Sequence, residues 1–456
     1  MSTERIHFIA IGGSAMHSLA IAMEKEGHEV SGSDDAIYEP SKSKLKQWGL
    51  FPNELGWYPE KITADIDSII LGMHAKSDNP ELLAAQELGL RIYSYPEFLY
   101  KVSESKTRVV VAGSHGKTTI TAMVLHVLNY HEQVTDFMVG ATVPGMTDTI
   151  SLSEENDFIL LEGDEYLSSP IDLRPKILWY RPQIALISGI AWDHVNVFPT
   201  AADYEKQFEL FIESISPGGV LIYNADDTVL LRMVLQSKHP IKKMPYRLPD
   251  AAIIEGTTYL ETLEGPLPLS VFGKHNLSNL AGAQWICQLM GVDSTDFYEA
   301  IPSFKGASRR LELLAKGKSS FLFKDFAHAP SKVSATTKAV CEQFKSHRII
   351  ACFELHTFSS LDPTFITSYA DSLKGVDQAV VFYDPEALKI KKRTPIDATT
   401  IRNAFNESSL EVIHSPLVFQ EYLLEQAYTN TVMLLMSSGN YGGLDWDRIR
   451  DRILTF

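Results

Sequence analysis

Short apolar runs alternate with helix-period stretches along almost the whole chain. The runs are rich in Val, Ile and Leu, the composition of strands buried on both faces. Strands are predicted at Ile6–Ile11, Glu29–Gly32, Ser68–Leu71 and Arg91–Tyr93, then at Arg108–Ala112, Phe158–Leu161, Ile184–Ser188 and Val220–Tyr223. A last group falls at Ser320–Phe323, Arg348–Phe353, Gln378–Phe382 and Thr431–Met436. Strands alternating with helices predict an α/β architecture with parallel sheets. The polar segment Val102–Arg108 ("VSESKTR") reads as a linker, and Phe304–Arg310 ("FKGASRR") as a second boundary. Three α/β domains are therefore expected, at 1–104, 105–306 and 307–456. The stretch Lys242–Leu269, rich in Pro, Gly and Thr, interrupts the alternation and predicts short β-strands; a helix over Asn276–Met290 restores it.

Composition narrows the function classes. A chain of 456 residues buries sizeable cores without staples. Its net charge of −16 is spread along the sequence and argues against non-specific binding to nucleic acid or anionic membrane. The cysteines Cys287, Cys341 and Cys352 form no CxxC pair, so no disulfide framework is expected. No window approaches the ~18 consecutive apolar residues of a spanning helix, and the opening "MSTERIHFIAIGG" lacks a signal-peptide pattern. Membrane insertion is not expected, and a cytoplasmic location is.

The strongest chemical signal is "VVVAGSHGKTTITAMVLHVL" (Val109–Leu128). A buried strand runs into Gly113-Ser114-His115-Gly116-Lys117-Thr118-Thr119 and then into an apolar-periodic helix. Glycines let backbone N–H groups wrap a phosphate at a helix start. Lys117 would reach the β- and γ-phosphates, and the Thr118 hydroxyl would coordinate Mg²⁺. The usual first glycine of the longer loop is replaced by Val111, so this is a shortened G-x-x-G-K-T loop. Such a site needs a carboxylate at a neighbouring strand tip. "NDFILLEGDEY" (Asn156–Tyr166) supplies Glu162, and "QIALISGIAWDHVNVF" (Gln183–Phe198) brings His194 to a third strand end, suited to a second metal position. Alone, the loop leaves a small-molecule kinase or a nucleotide switch open.

The opening "FIAIGGSAMHSLAIAMEKEGHEVSGSD" (Phe8–Asp34) reads as strand, glycine turn, helix, strand and acid. The G-x-G-x-x-G positions hold Ala10, Gly12 and Ala15, with an extra Gly13. Two of the three glycines are thus alanine. On its own this leaves an NAD-dependent oxidoreductase open beside a mere packing turn.

The chain as a whole resembles the Mur ligase family, ATP-dependent amide-forming enzymes of peptidoglycan synthesis. The resemblance rests on "AGSHGKTT" (Ala112–Thr119), "EGDEY" (Glu162–Tyr166), "DHVNVF" (Asp193–Phe198), "NADD" (Asn224–Asp227), "GKHNLSNLAGA" (Gly273–Ala283), "RRLE" (Arg309–Glu312) and "DFAHAP" (Asp325–Pro330), in order and spacing. It implies a Rossmann-like first domain that binds a UDP-sugar, a central P-loop ATPase-type parallel sheet that binds ATP, and a Rossmann-like C-terminal domain that receives the amine. It also implies that Gly113–Thr119 and Lys117 hold the ATP phosphates, with Thr118 and Glu162 on Mg²⁺ and His194 on a second metal. Asn276 and Asn279 would lie near the adenine with His275 beside them. Arg310 would meet the γ-phosphate region, Asp325 the ribose, and His328 the amine side. Lys117, His194, Arg310 and His328 are the expected catalytic set. In this light the opening loop is a substrate site. The pyrophosphate of UDP-N-acetylmuramate would rest on the N–H groups of Gly12, Gly13, Ser14 and Ala15, with Asp34 near the uridine and His74 a phosphate neighbour.

Two branches of the family share that opening segment. One joins L-alanine to UDP-N-acetylmuramate; the other joins a recycled tripeptide, L-Ala-γ-D-Glu-meso-diaminopimelate. Four features look more like the tripeptide branch: "GSDDAIYEP" (Gly32–Pro40), "DEYLSSPIDLRPKILWYRPQIAL" (Asp164–Leu186), the 32-position spacing from Glu162 to His194, and "SSGNYGG" (Ser437–Gly443). The tripeptide is therefore the expected amine, with L-alanine as the alternative. Ser114, Gly163, Ala329 and His356 depart from the family pattern, where Thr, Ala, His and Arg are usual.

Overall fold

The computed structural model describes residues 3–143, 145–192, 197–390 and 396–456. The chain falls into two compact units. One comprises Met1–Ile190, Ala202–Tyr246 and Gly282–Asp296; the other comprises Ala191–Ala201, Arg247–Ala281 and Phe297–Phe456.

The first unit contains two main sheets. A parallel four-stranded sheet has the order Glu29–Ser33, Arg5–Ile9, Ser68–Leu71, Ile92–Ser94. A seven-stranded sheet runs Lys242–Tyr246, Val220–Asn224, Ile184–Ile187, Thr107–Ala112, Phe158–Glu162, Asp136–Met138, Ile150–Ser151. Its strands are parallel except for the last pair. The Val-Val-Val-Ala run occupies the middle of this sheet because it can be covered on both faces: Val109 to Ala112 are wholly buried. At ~1.5–3 kcal/mol for each large apolar side chain removed from water, this strand is a rigid base for whatever follows it.

The segment Val102–Arg108, which reads as a linker, is short and in part buried. The Tyr95–Val102 helix ends only a few residues before the Thr107–Ala112 strand, and Ser103, Lys106 and Arg108 are buried. Their polarity is satisfied internally. The Arg108 guanidinium donates to the carbonyls of Tyr180 and Ser103 at 2.8 Å, and Lys106 Nζ donates to Asp136 at 2.6 Å. A buried charge is tolerated when its donors are all matched. Lys242–Leu269 also splits more cleanly than expected. Lys242–Tyr246 extends the large sheet, while Ala251–Ile254, Thr257–Thr262 and Gly265–Leu269 form an antiparallel sheet in the second unit.

That second unit is centred on a six-stranded sheet: Glu312–Lys316, Ser320–Asp325, Thr431–Met436, Arg348–Glu354, Gln378–Phe382, Glu411–Ile413. Only the first pair is antiparallel. Apolar side chains cover both faces, Val333, Val340 and Phe353 on one and Ile350, Cys352 and Phe419 on the other. Among the described residues, no helix is long and apolar enough to cross a membrane.

Candidate active site

In open parallel sheets, ligands gather at the carboxyl ends of the strands. The Thr107–Ala112 strand ends in Gly113-Ser114-His115-Gly116, and the Lys117–Tyr130 helix begins directly afterwards. Gly113 has φ 128° and Gly116, the helix N-cap, φ 81°. Glycine enters this region without a Cβ penalty. A side chain on Gly113 would also collide with the Ser188 hydroxyl. Neighbouring strand ends pin the loop: Ser114 N–H donates to the Gly189 carbonyl at 2.9 Å, and the Ser188 hydroxyl to the His115 carbonyl. Asp227, the last acid of "NADD", caps the Thr228–Gln236 helix and accepts the Ile190 N–H at 2.8 Å. Helix-start N–H groups have no carbonyl within their own helix, so this rigid turn is suited to an anion.

Two side chains of the loop are already oriented. Lys117 Nζ donates to Glu165 Oε2 at 2.7 Å and to the Gly113 carbonyl at 2.6 Å. Burial alone would lower the Lys117 pKa, but the carboxylates of Glu165, Asp164 and Glu162 outweigh it and hold it above the ordinary lysine value. The Thr118 hydroxyl donates to Glu162 Oε1 at 2.7 Å, and the other Glu162 oxygen accepts the Gly140 N–H at 2.7 Å. Thr118 and Glu162 thus bring two hard oxygen donors together, the donor type Mg²⁺ takes. Among the described residues, no three His, Cys, Asp or Glu side chains form a metal cluster. The expectation for His194 falls outside the described residues.

The N-terminal loop is built differently. The Ser14–Lys25 helix starts behind Gly13, whose φ is −58°. Gly12 N–H donates to Asp34 Oδ2 at 2.7 Å, and Gly13 N–H reaches the Ala10 carbonyl at 3.4 Å. Two of the four N–H groups expected to face a pyrophosphate are therefore engaged internally. The other two, Ser14 and Ala15, lie in the first helical turn, where N–H groups have no partner inside the helix. Burial raises the Asp34 carboxyl above its ordinary range, against the opposing pull of the Gly12 and Ala36 N–H groups. His74 is exposed in the loop after the Ser68–Leu71 strand.

In the second unit, the Ser320–Asp325 strand ends at a carboxylate that accepts three hydrogen bonds. Asp325 accepts Leu311 N–H at 2.6 Å, Ala327 N–H at 2.7 Å and the Thr336 hydroxyl at 3.2 Å. It thereby fixes the "RRLE" turn, where Arg309 and Leu311 sit at φ 59° and 47°. Non-glycine residues rarely hold such angles without support, and strain of this kind clusters at functional sites. Arg309 and Arg310 both stack on Phe326, at 4.9 and 4.7 Å. Arg310 and Asn276 line one cavity of about 670 Å³ walled by Phe272, Phe321 and Phe344. Asn279 is buried. Burial lowers the His275 pKa, with the Asp325 charge pushing back. His328 Nδ1 pairs with the Phe326 carbonyl at 2.8 Å, and Ala329 is the N-cap of the Pro330–Gln343 helix. His356 Nδ1 lies 3.5 Å from buried Glu354, which also accepts the Tyr441 N–H at 3.0 Å. A Cβ on Gly439 would come 2.6 Å from His356 Nδ1 and 2.8 Å from Glu354 Oε2, so those side chains would have to shift.

Sequence reasoning misses Glu165 as the lysine's partner, and it misses Tyr204, whose hydroxyl lies 2.8 Å from Glu165 Oε1. Position after a strand end could have singled out Glu165. Nothing local marks Tyr204, since its contact spans 39 residues.

Residues 5–107 match the profile described as Mur ligase family, catalytic domain, and residues 111–287 match the Mur ligase middle domain. The UDP-N-acetylmuramate–L-alanine ligase of Arthrobacter sp. (strain FB24) is 30% identical over 390 residues, covering 83% of this chain and 81% of the relative. Among solved structures, the UDP-N-acetylmuramate–alanine ligase of Thermotoga maritima aligns with a TM-score of 0.71 at 20% identity, over 99% of this chain and 98% of that one. The murein peptide ligase of Psychrobacter arcticus 273-4 aligns with a TM-score of 0.65 at 24% identity, over the same shares. At those identities the structural likeness is one of fold. Together with the sequence match and the two family profiles, it establishes that the chain belongs to the Mur ligase family, whose members are ATP-dependent ligases that form amide bonds.

Proposed function

We propose that the enzyme joins an amine to the lactyl carboxylate of UDP-N-acetylmuramate, with ATP bound at Gly113–Thr119. The observation that carries this reading is the pairing of a pinned glycine loop with a charged lysine and an oriented Thr118–Glu162 pair at adjacent strand ends. A carboxylate does not react with an amine at neutral pH, so it must be activated. The carboxylate oxygen attacks the γ-phosphorus and ADP leaves, giving an acyl phosphate. The amine then attacks the acyl carbon, inorganic phosphate leaves, and the nitrogen gives up a proton.

Lys117 neutralises charge that builds up in the first step, a role that preorganised cations fill well. Thr118 and Glu162 would hold Mg²⁺, which supplies further charge neutralisation at the phosphates when bound. Arg310 would act in the same step, as an arginine finger does. Ser14 and Ala15 would present N–H groups to the UDP pyrophosphate. Asn276, Asn279, His275 and Asp325 would take the adenosine part. His328 and His356 belong to the amine side. The three-domain division at 1–104, 105–306 and 307–456 would give one substrate to each domain.

For the amine, L-alanine is the better-supported reading, because the 30% identical relative is named for it. This turns away from the tripeptide expected from the sequence alone. The tripeptide is kept as a second reading on the sequence pattern of Asp164–Leu186 alone, a segment that folds in part as the hairpin Leu167–Ser169 with Asp172–Pro175. Phosphate release with ATP, Mg²⁺ and UDP-N-acetylmuramate, run with L-alanine or with the tripeptide, tests both. Turnover with L-alanine is expected. Release with the tripeptide alone would reverse the choice, and release with neither would sink both substrate readings.

A further inference from the structure

We propose that Tyr204 is a positioning residue for the phosphate-loop lysine, acting through Glu165. Tyr204 lies on the Ala201–Ser214 helix and is 1% exposed. Its phenol oxygen is 2.9 Å from Ser114 Oγ and 2.8 Å from Glu165 Oε1. Glu165 is itself fully buried, and its other oxygen accepts from Lys117 Nζ at 2.7 Å. Phe208 holds the phenol ring edge-on at 5.2 Å.

Proton counting fixes the direction of these bonds. A phenol carries one proton, and an ionised carboxylate can only accept. The Tyr204 proton therefore goes to Glu165, and the Ser114 hydroxyl must donate to the phenol oxygen. One polar chain, Ser114–Tyr204–Glu165–Lys117, leaves the loop at its second residue and returns at its lysine. A lysine stem loses much rotamer freedom when its ammonium is fixed. A buried anion that holds the ammonium in place beforehand removes part of that loss from the binding step. Glu165 can do so only if its own rotamer is set, and the phenol sets it by anchoring the opposite oxygen. The same chain turns the Ser114 side chain inward, where it is buried. The inference rests on the reading of Gly113–Thr119 as the ATP site.

The test compares wild type with Tyr204→Phe, Ser114→Ala and the double variant. ATP and ADP binding is measured by calorimetry, and KM and kcat with ATP and with UDP-N-acetylmuramate. Tyr204→Phe should raise KM for ATP roughly tenfold, the scale of one hydrogen bond to a charged group, and change kcat less. KM for UDP-N-acetylmuramate should stay where it is. The double variant should be no weaker than Tyr204→Phe, because both changes cut one chain. An ATP KM within twofold of wild type, a parallel rise for both substrates, or additive losses would each overturn the proposal. Should Tyr204→Phe not fold, Ser114→Ala decides from the other end: unchanged nucleotide affinity overturns it. Wild type that binds no ATP would instead sink the reading of the loop.

Discussion

The first unit contains two glycine turns of the same local plan, strand to turn to helix, with different side chains around them. At Gly113–Lys117 the turn enters a left-handed N-cap and ends on a lysine held charged by buried carboxylates. At Gly12–Ala15 the N-cap glycine is not left-handed, no lysine follows directly, and the side chain bound to the loop is the carboxyl of Asp34. The first loop is built to receive a dense, reacting negative charge. The second offers helix-start N–H groups alone, enough to seat a phosphate that does not react. Shared backbone geometry thus says that an anion can bind, and the side chains around it say what the anion does there.

The largest effect should come from removing the cation that separates the two turns. Lys117→Ala is expected to lower the ATP-dependent rate by on the order of 10²–10³-fold, the usual cost of deleting one transition-state contact. UDP-N-acetylmuramate affinity, measured by calorimetry, should survive. Equal loss at both sites would mean that the loops are not functionally distinct.

A milder change addresses the other turn. A Cβ on Gly12 would lie 2.8 Å from Asp34 Oδ2 and 2.8 Å from Ile37 Cγ1, so both side chains must shift. Gly12→Ala should raise KM for UDP-N-acetylmuramate several-fold, while KM for ATP holds. A rise for ATP alone would remove the assignment of this loop to the sugar nucleotide.

How much of this contrast was legible in the sequence depends on range. The strands Ser68–Leu71, Gln378–Phe382 and Thr431–Met436 were predicted to the residue, because an apolar run bounded by polar turns has one reading. The Lys117 loop was legible for the same reason: strand, glycines, lysine and helix are contiguous. The Asp34–Gly12 bond was not, since the fingerprint suggests an acid for a ligand, whereas the fold turns it onto its own backbone. The burial within Val102–Arg108 was not legible, because polar composition does not reveal that Arg108 finds a carbonyl more than 70 positions away. The Leu167–Pro175 hairpin is too short to stand out from its loop.

The smallest effect concerns Asp34 and sharpens the comparison most. Burial raises its folded-state pKa above the unfolded value, so the fold favours the neutral carboxyl. The stability linked to this group is fully present below the unfolded pKa and is lost as pH rises through the folded one. Asparagine at this position cannot ionise, yet it can still accept the Gly12 N–H. The melting temperature of wild type minus that of Asp34→Asn should therefore be most favourable to wild type in acid, then fall with rising pH and level off. A difference that instead grows with pH would mean that the Gly12 and Ala36 N–H groups dominate and hold an anion in the loop. That outcome would bear directly on the ligand, because an ionised Asp34 repels a pyrophosphate at the same helix start. With the sign argued here, KM for UDP-N-acetylmuramate should rise in wild type over the same pH interval and stay flat in Asp34→Asn. The Lys117 loop, whose charge is held by carboxylates and lies far from its titration range, should show no such dependence in either protein.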